Sequence, residues 1–151
     1  MTLETILLAV GPGDADRTDE LAETVVEVAQ PADATVVLAH VFTRDEYEEV
    51  LDRLDLDPDG ETGDADEVAA RHATIRDLMA VLDEAGVDYE IRGSVGDHGQ
   101  TIVDLATEVG ADRVVVGGRK RSPTGKAVFG STAQKVLLSA PCPTTFVRGE
   151  E

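Results

Sequence analysis

Polar and apolar positions alternate in blocks along this chain. Thr5-Ile-Leu-Leu-Ala-Val10 is a continuous apolar run closed by Gly11-Pro12-Gly13, the pattern of a buried strand followed by a turn. From 17 to 29, Leu21, Val25, Val28 and Ala29 recur near helical spacing, with Asp16 or Thr18 available as a cap. Thr35-Val-Val-Leu-Ala-His-Val41 predicts a second buried strand. Residues 44 to 66 form an acidic excursion with a turn at Asp57-Pro58-Asp59-Gly60. It reads as a solvated loop carrying one short helix around 46–54. Val68, Ile75, Leu78, Met79 and Leu82 share one face of a helix over 67–85, stopped by Gly86. Val87-Asp-Tyr-Glu-Ile-Arg92 alternates as a third strand. A helix over 100–109 follows and ends at Gly110. Arg113-Val-Val-Val-Gly117 is a fourth strand, then a long turn from 118 to 129. Ser131 to Ser139 is the last helix, closed by Pro141, and Thr144-Thr-Phe-Val147 is the fifth strand.

Strands that alternate with helices and are nearly continuously apolar predict an α/β fold, an open five-stranded parallel sheet with helices on both faces. Binding sites in such sheets lie beyond the carboxyl ends of the strands, where the strand order reverses. In the order 3-2-1-4-5 that point falls between strands one and four, whose carboxyl ends are Val10-Gly11-Pro12 and Val116-Gly117-Gly118.

Length adds that one domain, spanning 1–151, is the expectation. Aromatics are 3% of the chain and Trp is absent, so the core is aliphatic. The single cysteine, Cys142, excludes an internal disulfide. No apolar run reaches the length of a membrane span. The opening Met1 to Val10 carries Glu4 and lacks the basic start of a signal peptide. The expectation is a cytoplasmic protein.

Charge changes the picture further. Thirty-one acids against 13 Lys and Arg give a net charge of −18. That balance argues against nucleic-acid backbones and anionic membranes as partners. It self-repels in dilute salt, whereas at molar salt the Debye length is about 3 Å and the repulsion is screened. A halophilic cytoplasm is the expected setting. From Arg113 to Arg148 there is no acid, and seven of the 13 basic residues lie there. A stretch spared from acid in such a chain points to an anion site or a surface buried against a partner.

Several motifs fail on inspection. Gly11-Pro12-Gly13 starts like a dinucleotide fingerprint, but Asp16 stands where the third glycine belongs and would repel a pyrophosphate. Lys120 and Ala127 occupy the glycine and hydroxyl positions of a P-loop around Gly125-Lys126. His40, His72 and His98 lack metal-ligand spacing. His40 fits a packed, hydrogen-bonded residue and His98 the neighbour of a helix cap. No catalytic dyad and no Gly-x-Ser-x-Gly elbow is present. What remains is Gly117 to Thr132, where a strand ends at a bare glycine, a basic loop follows, and Gly130-Ser131-Thr132 opens a helix. A helix start offers free N–H groups and the positive dipole end, a ready anion site, to which Ser131 and Thr132 add hydroxyls. A plain Ser131 cap with a solvated basic loop is the alternative.

At these residues the chain resembles the universal stress protein family. Nucleotide-binding members carry G-x-x-G-x9-G-[ST] after the fourth strand, and Gly117, Gly130 and Ser131 match it in spacing, with Lys120 at the second glycine. Leu38-Ala-His40-Val41, Val114-Val-Val-Gly117, Gly130-Ser-Thr-Ala-Gln-Lys135-Val and Ala140-Pro-Cys-Pro143 are also family-like. The resemblance implies the 3-2-1-4-5 sheet, Rossmann-like, of the adenine nucleotide alpha hydrolase kind. It implies a homodimer and ATP, with or without Mg2+, at the switch point. By analogy Val10, Gly11 and Val41 meet the adenine end, Gly117, Gly130, Ser131 and Thr132 meet the phosphates, and Val116 belongs to the same nucleotide-binding set. Lys120 either pairs with a phosphate or obstructs it. Gly11 replaces the usual Asp at the end of strand one, losing one nucleoside contact. A homodimer would pair Thr144, Thr145, Phe146 and Val147 with their copies, an edge that is itself acid-free. The alternatives are a nucleotide-free dimeric stress or adaptor protein and, lacking its signature loops, an adenylate-forming enzyme. Catalysis is expected to be absent or limited to very slow ATP hydrolysis.

Overall fold

The computed structural model describes residues 3–54, 65–118 and 131–148. Five parallel strands, β1 (Thr5–Val10), β2 (Thr35–Phe42), β3 (Tyr89–Val95), β4 (Arg113–Gly118) and β5 (Thr144–Arg148), lie in the order β3-β2-β1-β4-β5. The expected sheet and its order are both present. Among the described residues six α-helices accompany them: α1 (Thr18–Ala32), α2 (Arg44–Leu54), α3 (Ala65–Ala70), α4 (Ala73–Ala85), α5 (His98–Val109) and α6 (Ser131–Ser139).

The apolar run of β1 is continuous because both faces of the sheet are covered. Ile6, Leu8 and Val10 pack with Leu21 and Val25 of α1 and Leu78 and Leu82 of α4. Leu7 and Ala9 point the other way, onto Ile102 and Leu105 of α5 and Val136 of α6. This is the two-residue alternation of a strand with a core on each side. Each fully buried leucine contributes about 1.5–3 kcal/mol of transfer free energy. The start of β1 is tied down by Asp112, whose Oδ2 accepts from the Glu4 and Thr5 amides at 2.9 and 3.0 Å.

Four departures from the sequence reading have local causes. Residues 12–17 form a 3-10 helix before α1, and Arg17, with no side-chain cap bond, stands at the α1 N-cap. Helix α1 runs on to Ala32 because Asp33 adopts a left-handed conformation (φ 54°) and its amide closes the last turn. The helix expected over 67–85 is two, broken at His72, whose Nδ1 accepts from the Thr74 amide and starts α4. The third strand begins at Tyr89 rather than Val87. Val87 belongs to the turn after α4, its amide donating to Leu82 beside the left-handed Gly86. Its far end extends to Val95, in register with Phe42.

The acidic excursion is more than a solvated loop. Leu51 of α2 and Val68 and Ala69 of α3 bury a small third core against Phe42. Helix α3 lies along β3 so closely that a Cβ on Gly93 would collide with the Ala65 carbonyl, and the Gly93 amide donates to Asp66 Oδ1 at 2.6 Å. The outer edge of β3 is thereby covered. The turn at 57–60 and the basic loop from Arg119 to Gly130 lie outside the described residues.

Candidate functional site

The helices after β1 and β4 leave toward opposite faces of the sheet: α1 joins the layer with α4, and α6 joins α5. This divergence leaves a crevice between the two strand ends. A cavity of about 150 Å³ occupies it. Its apolar walls are Ala9, Val10, Gly11, Val41, Val116 and Gly117 from the strand ends, with Ile102 of α5 and Ala133 of α6. Among the described residues four polar ones also line it: Asp14 and Arg17 from the 3-10 helix, His98 at the start of α5 and Thr132 at the start of α6.

Six of the nine residues expected from the sequence therefore meet here: Val10, Gly11, Val41, Val116, Gly117 and Thr132. Ser131 is the first residue of α6, beside Thr132. Lys120 and Gly130 lie outside the described residues, so the Lys120 question does too.

The sequence reading missed Asp14, Arg17 and His98. Asp14 is 5% exposed. Its Oδ2 accepts from the Gly11 amide at 2.7 Å, and its Oδ1 accepts from Arg17 Nη1. The Asp14 amide returns a bond to the Gly11 carbonyl at 3.1 Å. This reciprocal closure makes the exit from β1 rigid. The i, i+3 spacings of Gly11, Asp14 and Arg17 carry the signal, but the sequence reading gives Asp14 and Arg17 no role and treats only Asp16 as an obstacle to a pyrophosphate. Asp14 is also a carboxylate in the very cavity where the resemblance loses one at position 11.

Gly117 has a physical reason to lack a side chain. A Cβ there would stand 2.8 Å from both Arg17 Cδ and Asp14 Oδ1. The ion pair thus lies directly on the bare α-carbon at the end of β4.

His98 follows Asp97, which caps α5 through the Gln100 amide. As expected it neighbours the cap, but it also lines the cavity and pairs through Nε2 with Glu46 Oε1 at 2.8 Å. Glu46 closes a capping box at the start of α2, accepting from the Thr43 amide at 2.8 Å while its own amide donates to Thr43 Oγ1. Burial alone would raise the Glu46 carboxyl; the Thr43 amide and His98 outweigh it and hold the group below its ordinary range.

His40 supports the site from behind. Its Nδ1 donates to the Val10 carbonyl at 2.7 Å, which fixes the last residue of β1. Its ring stands edge-on to Phe42 and 4.4 Å from the ring of His72. Burial, then the positive charge His72 can carry, lower its pKa to about 4. At neutral pH it is an uncharged donor, the packed and hydrogen-bonded role expected of it.

Among the described residues no three His, Cys, Asp or Glu side chains are grouped to hold a metal ion. No helix among them is long and apolar enough to cross a membrane.

Comparison with known proteins agrees with this architecture. A universal stress protein from Archaeoglobus fulgidus superposes with a TM-score of 0.70 at 27% identity, covering 96% of this chain and 98% of that one. A structure of the A. fulgidus universal stress protein in complex with dAMP superposes at 0.63 and 22% identity, over 98% and 100% of the two chains. A universal stress protein of Mycolicibacterium smegmatis is 38% identical over 80 residues, which are 52% of this chain and 62% of that protein. The match thus spans less than two thirds of that relative's length. The model of the universal stress protein family matches residues 2–148, essentially the whole described fold, and the chain belongs to that family.

Proposed function

We propose that this chain binds an adenine nucleotide, ATP with or without Mg2+, in the cavity between β1 and β4 and acts as a homodimeric regulatory module of stress responses. One observation carries the reading: residues separated by more than a hundred positions, Val10 and Gly11 on one side and Thr132 on the other, line one crevice at the switch point. Its aliphatic walls suit the flat face of a purine. Its rim of Arg17, His98 and Thr132 offers hydrogen-bond donors to sugar and phosphate oxygens. The dAMP complex of the A. fulgidus relative supports the ligand class.

A homodimer through Thr144, Thr145, Phe146 and Val147 is favoured by the contrast between the two sheet edges. Helix α3 lies along β3 and Asp66 takes the Gly93 amide there. Strand β5 is the other edge, pairs with β4, and carries no acid. Leu137 and Leu138 of α6, the helix that leads into β5, are 37% and 78% exposed. Apolar exposure next to an acid-free edge suits a second copy of the chain.

The test is mass action. Protein purified in molar salt and melted with ATP, with and without Mg2+, should gain about 2.7 kcal/mol at a hundredfold excess over Kd. Ser131→Ala with Thr132→Val should erase that gain. A melting temperature indifferent to millimolar ATP, with no adenine nucleotide released on denaturation, would favour the nucleotide-free adaptor instead.

A further inference from the structure

We infer that Arg17, clamped by Asp14, is the cation that receives an anionic phosphoryl group of the cavity's ligand, an assignment that rests on the nucleotide reading above. The sequence directed attention to Arg119, Lys120 and Arg121. Arg17 lies 96 residues or more from every base in that acid-free stretch. Among the described residues lining the cavity it is the one Lys or Arg.

Its burial sets it apart. Arg53 and Arg71 also pair with acids, but their side chains are 68% and 45% exposed; that of Arg17 is 11% exposed. A surface pair of the first kind is worth little, and a buried pair is about break-even against an apolar replacement. Stability therefore does not account for a buried charge pair at this point.

The guanidinium is also under-used. It carries five N–H donors in a rigid fork. Its hydrogen bond to Asp14 Oδ1 is made through Nη1, and Nε is buried with no hydrogen-bond partner among the described residues. Asp14 cannot follow a ligand, because its second oxygen is held by the Gly11 amide. The carboxylate is a fixed post that orients the guanidinium, and the guanidinium's positive charge offsets the carboxylate's repulsion of an anion. The pair rests on the bare α-carbon of Gly117, on the α1 side of the crevice. Thr132 and the start of α6, with its positive dipole end, stand on the α6 side. An anion between them meets a charged donor from one wall and helix donors from the other. Phosphoryl oxygens match that arrangement, since a planar fork bonds them in charge-assisted pairs.

The experiment compares three probes by calorimetric titration of the full chain: AMP, adenosine and inorganic pyrophosphate. The variant is Asp14→Asn with Arg17→Met, which keeps an acceptor for the Gly11 amide and leaves no lone buried charge. AMP affinity should fall about 10- to 100-fold, or about 1.4 to 2.8 kcal/mol, while adenosine affinity stays within about twofold. Unchanged AMP affinity, or an equal loss for AMP and adenosine, would overturn the assignment and leave the pair as a clip on β1. Wild-type protein that binds adenosine as tightly as AMP would overturn it while preserving the adenine reading. Pyrophosphate binding that depends on Arg17, without binding of AMP or adenosine, would uphold the anion site and remove the adenine. Failure of all three probes would sink both. Should the double variant not fold, Arg17→Lys decides: AMP loss with adenosine unchanged upholds the role of the fork, and no loss overturns it.

Discussion

His40 is neutral and donates to the Val10 carbonyl, so protonating it must cost folding free energy. Burial is the main cause of its low pKa, followed by His72; the hydrogen bond to the Val10 carbonyl and then Glu46 act in the opposite sense, and His98 adds a small further lowering. The folded value is about 4 against 6.5 for a free imidazole. Between those values the unfolded chain binds more protons than the folded one, so stability rises with pH across the window. The contribution is fully present above about pH 6.5 and is lost as pH falls toward 4. At 1.36 kcal/mol per unit, the loss is about 2 kcal/mol at pH 5 and about 3 kcal/mol at pH 4. Against typical domain stabilities of about 5–15 kcal/mol that is a large fraction. The assay is urea unfolding at molar KCl, comparing wild type with His40→Asn, which keeps a donor for Val10 and does not titrate. The wild-type advantage should shrink by about 3 kcal/mol between pH 7 and pH 4. Other acids titrate in both proteins and cancel in the difference. A difference that stays flat across that range would refute the burial argument.

Gly93→Ala should destabilise by at least the about 1–3 kcal/mol typical of overpacking, because the obstructing atoms are the backbone of Ala65 and cannot rotate away; thermal melts read this directly. Asp112→Ala should fray the start of β1, seen as faster hydrogen exchange at the Glu4 and Thr5 amides. Those amide bonds hold the Asp112 carboxyl below its ordinary range, so wild-type protection there should persist above the ordinary carboxylate pKa and fade as pH falls through the lowered value. With a net charge of −18, stability should climb steeply as KCl rises from dilute to molar, measured by urea midpoints; a flat response would contradict the self-repulsion argument.

Strand positions were legible because burial on both faces leaves a simple mark, an unbroken apolar run. Thr5–Val10 and Thr35–Val41 have that mark, and the fold follows their ends closely. The edge strand β3 has no such mark. Its exposures are intermediate along most of its length, so its alternation was clear while its limits were not. The break between α3 and α4 was hidden for a different reason. Val68 and Ile75 both face inward, but Val68 packs on Phe42 and Leu51 while Ile75 packs under the sheet with Leu78. Apolar spacing records that a residue is buried, not which core receives it.

The candidate site was legible where it is made of backbone and aliphatic walls, and illegible where it is made of charge. Val10, Gly11, Val41, Val116 and Gly117 follow from strand ends at a switch point. Asp14 and Arg17 do not, because a search for the region lacking acid passes over an acid whose charge is already matched. In a chain this acidic, the informative carboxylate is not a missing one but one that is buried at 5% exposure with both oxygens engaged. That shifts the weight of Gly117 as well. Its missing side chain leaves room for the Asp14–Arg17 pair, and only through that pair for a ligand. Gly117→Ala would therefore disturb the cation before it touched any nucleotide. Its effect on binding should follow that of the Asp14–Arg17 variant, not that of Ser131 and Thr132.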